Sequence, residues 1–113
     1  MLREIGNIYR RRSHRMMNQV IEGLKRERVQ ILTFDHKRDG VTMLVKYAHG
    51  QISEVTIQAY PIQQLVMLKA RGQLQTFKSH EEELIMFIRS ESDKAVEKGV
   101  QIFLLELANK YWF

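Results

Sequence analysis

The chain has no cysteine. That excludes a disulfide scaffold, a thiol nucleophile and a Cys-ligated zinc site. Long apolar runs are missing as well. The longest, Leu84-Ile85-Met86-Phe87-Ile88, falls far short of the ~20 residues of a membrane span. Arg10-Arg11-Arg12 breaks up the first apolar residues, where a signal peptide needs a continuous stretch of roughly 7–15. The expectation is a cytoplasmic protein with no membrane span. The 6 glycines are scattered, so neither G-x-G-x-x-G nor G-x-x-x-x-G-K followed by Ser or Thr occurs. No low-complexity tract, repeat or linker divides the chain, and 1–113 reads as a single domain.

Charge is present but unevenly placed. There are 18 Lys+Arg against 13 Asp+Glu, a net of +5. Residues 1–28 carry eight bases and three acids, which is 8 − 3 = +5, and the rest carry ten of each. The whole excess therefore lies in the first quarter of the chain. Such asymmetry suggests an anionic partner: nucleic acid, a membrane surface or an acidic protein.

Residues 3–27 have the spacing of an amphipathic helix. Ile5, Ile8, Tyr9, Met16, Met17, Val20, Ile21 and Leu24 recur at intervals of three, four and seven, and Arg12-Ser13 interrupts the stripe. At 100° per residue, Arg11, Arg15, Lys25 and Arg26 fall opposite it, with Glu22–Arg26 an i,i+4 pair. Arg10, Arg11, Arg12, Arg15, Lys25 and Arg26 are the candidate anion or nucleic-acid contacts, with His14 among them. Arginine's planar fork suits phosphate oxygens, but no helix-turn-helix, zinc-finger or RNP-type motif accompanies it. A solvated helix face is the competing reading.

The middle of the chain is punctuated at Arg38-Asp39-Gly40, His49-Gly50, Tyr60-Pro61 and Arg71-Gly72. Turn residues at such even spacing, with Val, Ile, Thr and Tyr between, signal a β-meander. Val41, Met43, Val45 and Tyr47 share one face, and Val55, Ile57 and Ala59 another. The expectation is three to five antiparallel strands within about 29–78, near 29–36, 41–48, 51–60, 62–70 and 73–78. Residues 62–70 also suit a short helix.

The end of the chain reads as helical again. Ser79-x-x-Glu82 has the form of a capping box, and Glu81-Glu82-Glu83 suit a helix start. Leu84, Ile85, Ile88, Ala95 and Val96 continue a stripe, and Lys98-Gly99 resembles a helix stop. Either one bent helix or two helices over 79–112 is expected, with a strand at 100–105 as the alternative. The fold class is therefore α+β: an N-terminal helix, a meander, and C-terminal helix or helices packed with the first on one sheet face.

Chemistry leaves few marks. Asp35, His36 and Asp39 lie close in sequence, but Lys37 and Arg38 among them repel a cation, so no metal ligand is assigned. No paired carboxylates and no nucleophile beside a base stand out, so no catalytic residue or cofactor is assigned, and the chain leans away from being an enzyme. The polar sheet face, Thr42, Lys46, Glu54, Thr56, Gln58 and Tyr60, offers RNA only one tyrosine to stack on. Tyr111, Trp112 and Phe113 either fold back onto the core or meet another subunit. The leading expectation is a non-enzymatic macromolecular-interaction module, protein-binding or self-associating, with a homodimer among its partners. The alternatives are a nucleic-acid binder using the first helix, and a small-ligand pocket or enzyme between sheet and helices with His36 or Tyr60 at its mouth.

Overall fold

A computed structural model describes residues 2–37, 40–72 and 82–111, with side chains for 11–37, 40–72 and 83–109. The elements run α1 (Leu2–Arg26), β1 (Gln30–His36), β2 (Gly40–Lys46), β3 (Ile52–Tyr60), β4 (Leu65–Gly72), β5 (Glu82–Arg89) and α2 (Asp93–Tyr111). The five strands form one antiparallel sheet in the order β1-β2-β3-β4-β5. Both helices lie on the same face: α1 against β1 to β4, and α2 against β5 and α1. The architecture is the expected α+β layering of helices on one side of a meander.

Period-2 alternation places the core. Val41, Met43 and Val45 of β2, Val55, Ile57 and Ala59 of β3, and Val66, Leu68 and Ala70 of β4 are buried beneath the helices. They meet Met16, Met17, Val20, Ile21 and Leu24 of α1 and Val96, Val100, Phe103 and Leu107 of α2. Ser13, which breaks the apolar stripe in sequence, is also buried. Tyr47 is buried at the end of β2's alternation, its Oη 2.5 Å from Ser53 Oγ. A bulge at Leu32 shifts the β1–β2 register, and the Thr33 hydroxyl there accepts the Leu44 N–H at 3.2 Å.

Helix α1 ends in a Schellman motif. The Val29 N–H donates to the Leu24 carbonyl at 3.1 Å and the Arg28 N–H to that of Lys25 at 3.0 Å. Buried Val29 and Leu24 supply the apolar contact that accompanies this motif. Arg28 occupies the left-handed position, at φ 62°, where glycine is usual.

The end of the chain differs from the sequence expectation. Residues 82–89 are the fifth strand, not the start of a helix, and Leu84 to Ile88 are apolar on both strand faces, which hides the period-2 signal. The helix starts at Asp93, and its N-cap is Ser92, whose Oγ accepts the Ala95 N–H at 3.1 Å. Glu82 is paired in β5 with Gly72, not capping a helix. Residues 100–105 are helix, and a single α2 replaces one bent or two helices over 79–112. Gly99 is not a stop but lies inside α2, where a Cβ would come 2.4 Å from Ile88 Cγ2. It is there for close helix–strand approach. The ambiguous 62–70 resolves into a turn at 61–64 followed by β4. The expected strand at 73–78, Ser79 and the Arg38-Asp39 turn tip lie outside the described residues.

Candidate functional site

Two surfaces stand out, and the helix layer carries the first. Arg11, Arg12, His14, Arg15, Lys25 and Arg26 are all exposed on α1. Their positions oppose the buried arc of Ser13, Met16, Met17, Val20, Ile21 and Leu24. Arg11, His14, Arg15 and Arg26 line a groove of about 870 Å³ between α1 and the start of α2. Arg10 is in α1, but its side chain lies outside the described residues.

The electrostatics of this groove are mixed. Glu22, Asp93 and Glu97 share its walls with the three arginines, so its fixed charges balance. Gln19 Nε2 donates to Asp93 Oδ1 at 2.6 Å, joining the helices across it. Glu22 pairs with Lys25 at 3.5 Å rather than with Arg26. Among the described residues, no carboxylate lies within ion-pair reach of Arg11, Arg12 or Arg15. The positive excess is thus concentrated toward the N-terminal half of α1.

The second surface is the sheet face turned away from the helices. Its rows follow from the ladder. Leu44, Glu54, Arg71 and Glu83 stand side by side; Thr42, Thr56, Lys69 and Ile85 form the next row; Gln58, Met67 and Phe87 the next; Tyr60, Leu65 and Arg89 the last. An antiparallel sheet with one wet face normally alternates apolar-in and polar-out. Here Leu44 is 41% exposed, Ile52 48%, Ile85 49% and Phe87 57%. The Tyr60 and Phe87 rings lie 6.2 Å apart. Arg71 Nε sits 3.9 Å from Glu83 Oε1. Sequence reasoning missed Ile85, Met67 and Phe87 on this face, because 84–88 matched a helical stripe and 62–70 was ambiguous.

The remaining expected positions separate. His36 packs against His14 at 5.6 Å and Phe34 at 4.9 Å between ring centroids. Asp35 projects to the other side of β1 and pairs with Lys37 at 3.3 Å. No group of three metal-ligating side chains converges among the described residues. Tyr60 is on the open face, so it does not stand at the mouth of a pocket between sheet and helices; the groove lies between the two helices and contains His14, not His36. Tyr111 is the last residue of α2, while its side chain, Trp112 and Phe113 lie outside the described residues. Among those residues, no helix is long and apolar enough to cross a membrane. No known family, curated protein or solved structure matches this chain.

Proposed function

We propose that this chain is a non-enzymatic, cytoplasmic macromolecular-interaction module whose working surface is the open face of the sheet. The observation that carries this reading is strand β5. Its run Leu84 to Ile88 has the pattern of a strand covered on both sides. Helix α2 covers one side, yet Ile85 and Phe87 on the other are about half exposed. Contiguous exposed apolar surface of this kind marks interaction sites.

The test is photo-crosslinking in the expressing cell, with p-benzoylphenylalanine in place of Phe87 and, as the control, in place of Leu105, which is 61% exposed on α2. Discrete adducts from position 87 and none from position 105 are expected. No adduct at 87, or equal adducts at both, overturns the reading.

A second reading has its own observation: Arg11, Arg12 and Arg15 are exposed and without carboxylate partners among the described residues. On this reading α1 binds nucleic-acid phosphates. If four phosphates are engaged, log K falls against log[salt] with a slope of about −4. Gel shifts with duplex and single-stranded probes at low and moderate salt test it. Binding that is absent at low salt, or unchanged by Arg11→Ala with Arg15→Ala, rejects it. The three carboxylates in the same groove place this reading second.

A further inference from the structure

We infer that the open sheet face binds a second copy of this chain, about a two-fold axis that runs parallel to the strands over the seam between β3 and β4. The inference rests on the reading of that face as the working surface, and goes further by naming the occupant.

A two-fold axis in that place has a simple consequence. It lays β3 over the partner's β4 and keeps each residue at its own height along the strand. Residues that are neighbours across the β3–β4 ladder therefore come to face each other between the two copies. The register pairs Glu54 with Arg71, Gln58 with Met67 and Tyr60 with Leu65. Glu54 thus meets Arg71 of the partner subunit and Arg71 meets Glu54 of the partner subunit, closing an alternating square of four charges. Tyr60 meets Leu65 of the partner subunit, apolar against apolar.

The same axis matches the flanking strands in part, and sets Glu83 against Leu44 of the partner subunit. It lays β5 over the partner's β2, where Gly40 shares the row of Gln58, Met67 and Phe87. The most exposed large apolar side chain of the face, Phe87, then faces the one position in its row with no side chain. Three other axes fit less well. An axis along β4 sets Arg71 against itself, and one along β3 sets Glu54 against itself. An axis across the strands through the Thr56–Lys69 row sets Phe87 against Glu83 and Met67 against Arg71.

Size also favours the central seam. Four strands at ~4.8 Å spacing and about seven residues at ~3.4 Å rise make a plane of roughly 19 by 24 Å. That is on the order of 450 Å² in projection, before side-chain relief, against the ~800 Å² of accessible surface a standard interface buries per partner. The whole of β2 to β5 is needed, and among axes parallel to the strands only one near its middle overlaps all four strands with all four of the partner.

Sedimentation equilibrium of the purified chain tests this, with folding of each variant checked by circular dichroism. The wild type is expected to form a dimer. Glu54→Arg alone and Arg71→Glu alone each place like charges across the interface, and each is expected to weaken it by about tenfold or more. An equimolar mixture of the two variants is expected to restore a dimer, because every 54–71 contact between the copies is then Arg–Glu. The doubly exchanged chain is expected to restore it too. If either single variant fails to fold, Phe87→Lys serves instead and is expected to be a folded monomer. A wild type that stays monomeric, single variants that dimerise as the wild type does, or a mixture that stays monomeric overturns the inference. A monomeric wild type whose position 87 still crosslinks to a protein of another mass removes the second copy but leaves the interaction reading. A monomer that binds single-stranded oligonucleotide and loses it on Phe87→Lys overturns the inference in favour of a base-stacking face.

Discussion

Replacing Gly99 by alanine separates two physical roles for that glycine. In an exposed helix interior, Gly→Ala stabilises by about 1 kcal/mol through backbone entropy. Gly99 lies inside α2, so this gain applies. But the new Cβ would lie 2.4 Å from Ile88 Cγ2 and 2.9 Å from its Cγ1. Ordinary carbon–carbon contact is at about 3.5–4.0 Å, so helix and strand must separate by roughly 1 Å or Ile88 must leave its rotamer. Ile88 is 2% exposed, so its movement must displace other core side chains rather than enter solvent. Overpacking of this kind costs about 1–3 kcal/mol, which exceeds the propensity gain. Gly99→Ala is therefore expected to destabilise by about 1 kcal/mol. In an Ile88→Ala background the obstructing methyls are gone, and the same change is expected to stabilise by about 1 kcal/mol. The coupling between the two sites is then about 2 kcal/mol. Urea unfolding of the four chains, compared at constant m, measures it. A Gly99→Ala that stabilises equally in both backgrounds refutes the close-approach argument.

The buried Tyr47 phenol is pushed up to about 12 by burial, opposed in part by its hydrogen bond to Ser53. Its folded value lies above the unfolded one, so its contribution is complete below pH 10 and is lost as the pH climbs from 10 to about 12. Tyr47→Phe is expected to cost about 1 kcal/mol at neutral pH and to flatten this alkaline loss relative to the wild type; equal alkaline slopes in the two chains would contradict the assignment. Arg28→Gly relieves a left-handed backbone at φ 62° and is expected to raise stability by about 0.5–1 kcal/mol, read as a higher urea midpoint. Gln64, at φ 53° in the turn before β4, is expected to respond to Gln64→Gly in the same direction.

The fold was legible where one face of an element is polar. Met16 to Leu24 on α1, Val41 to Tyr47 and Val55 to Ala59 alternate or repeat cleanly because their other faces are wet, and their burial follows the pattern. It was illegible at 82–89 because apolar residues stand on both faces of β5, so no period survives. Gly99 misled for a related reason. A glycine after a lysine has the form of a helix stop, and only the proximity of Ile88, eleven residues earlier, reveals a packing role. Of the surfaces, the exposed bases of α1 could be placed from the sequence. The polar β2 and β3 side of the open face, from Thr42 to Tyr60, could be placed too, but its apolar part could not, since Phe87 and Ile85 join Tyr60 and Met67 only through the β4–β5 and β3–β4 registers. The residues that hid the strand are the ones that make the face apolar.

The most direct test of the account is the dependence of Tm on protein concentration. A chain that uses its open face to pair with itself gains stability by mass action. The wild type is expected to melt at higher temperature as its concentration rises, and Ile85→Lys with Phe87→Lys is expected to melt at one temperature throughout, with its fold intact. A wild-type Tm that does not move with concentration, or a double variant whose Tm moves as the wild type's does, contradicts the claim that this face is where two copies meet.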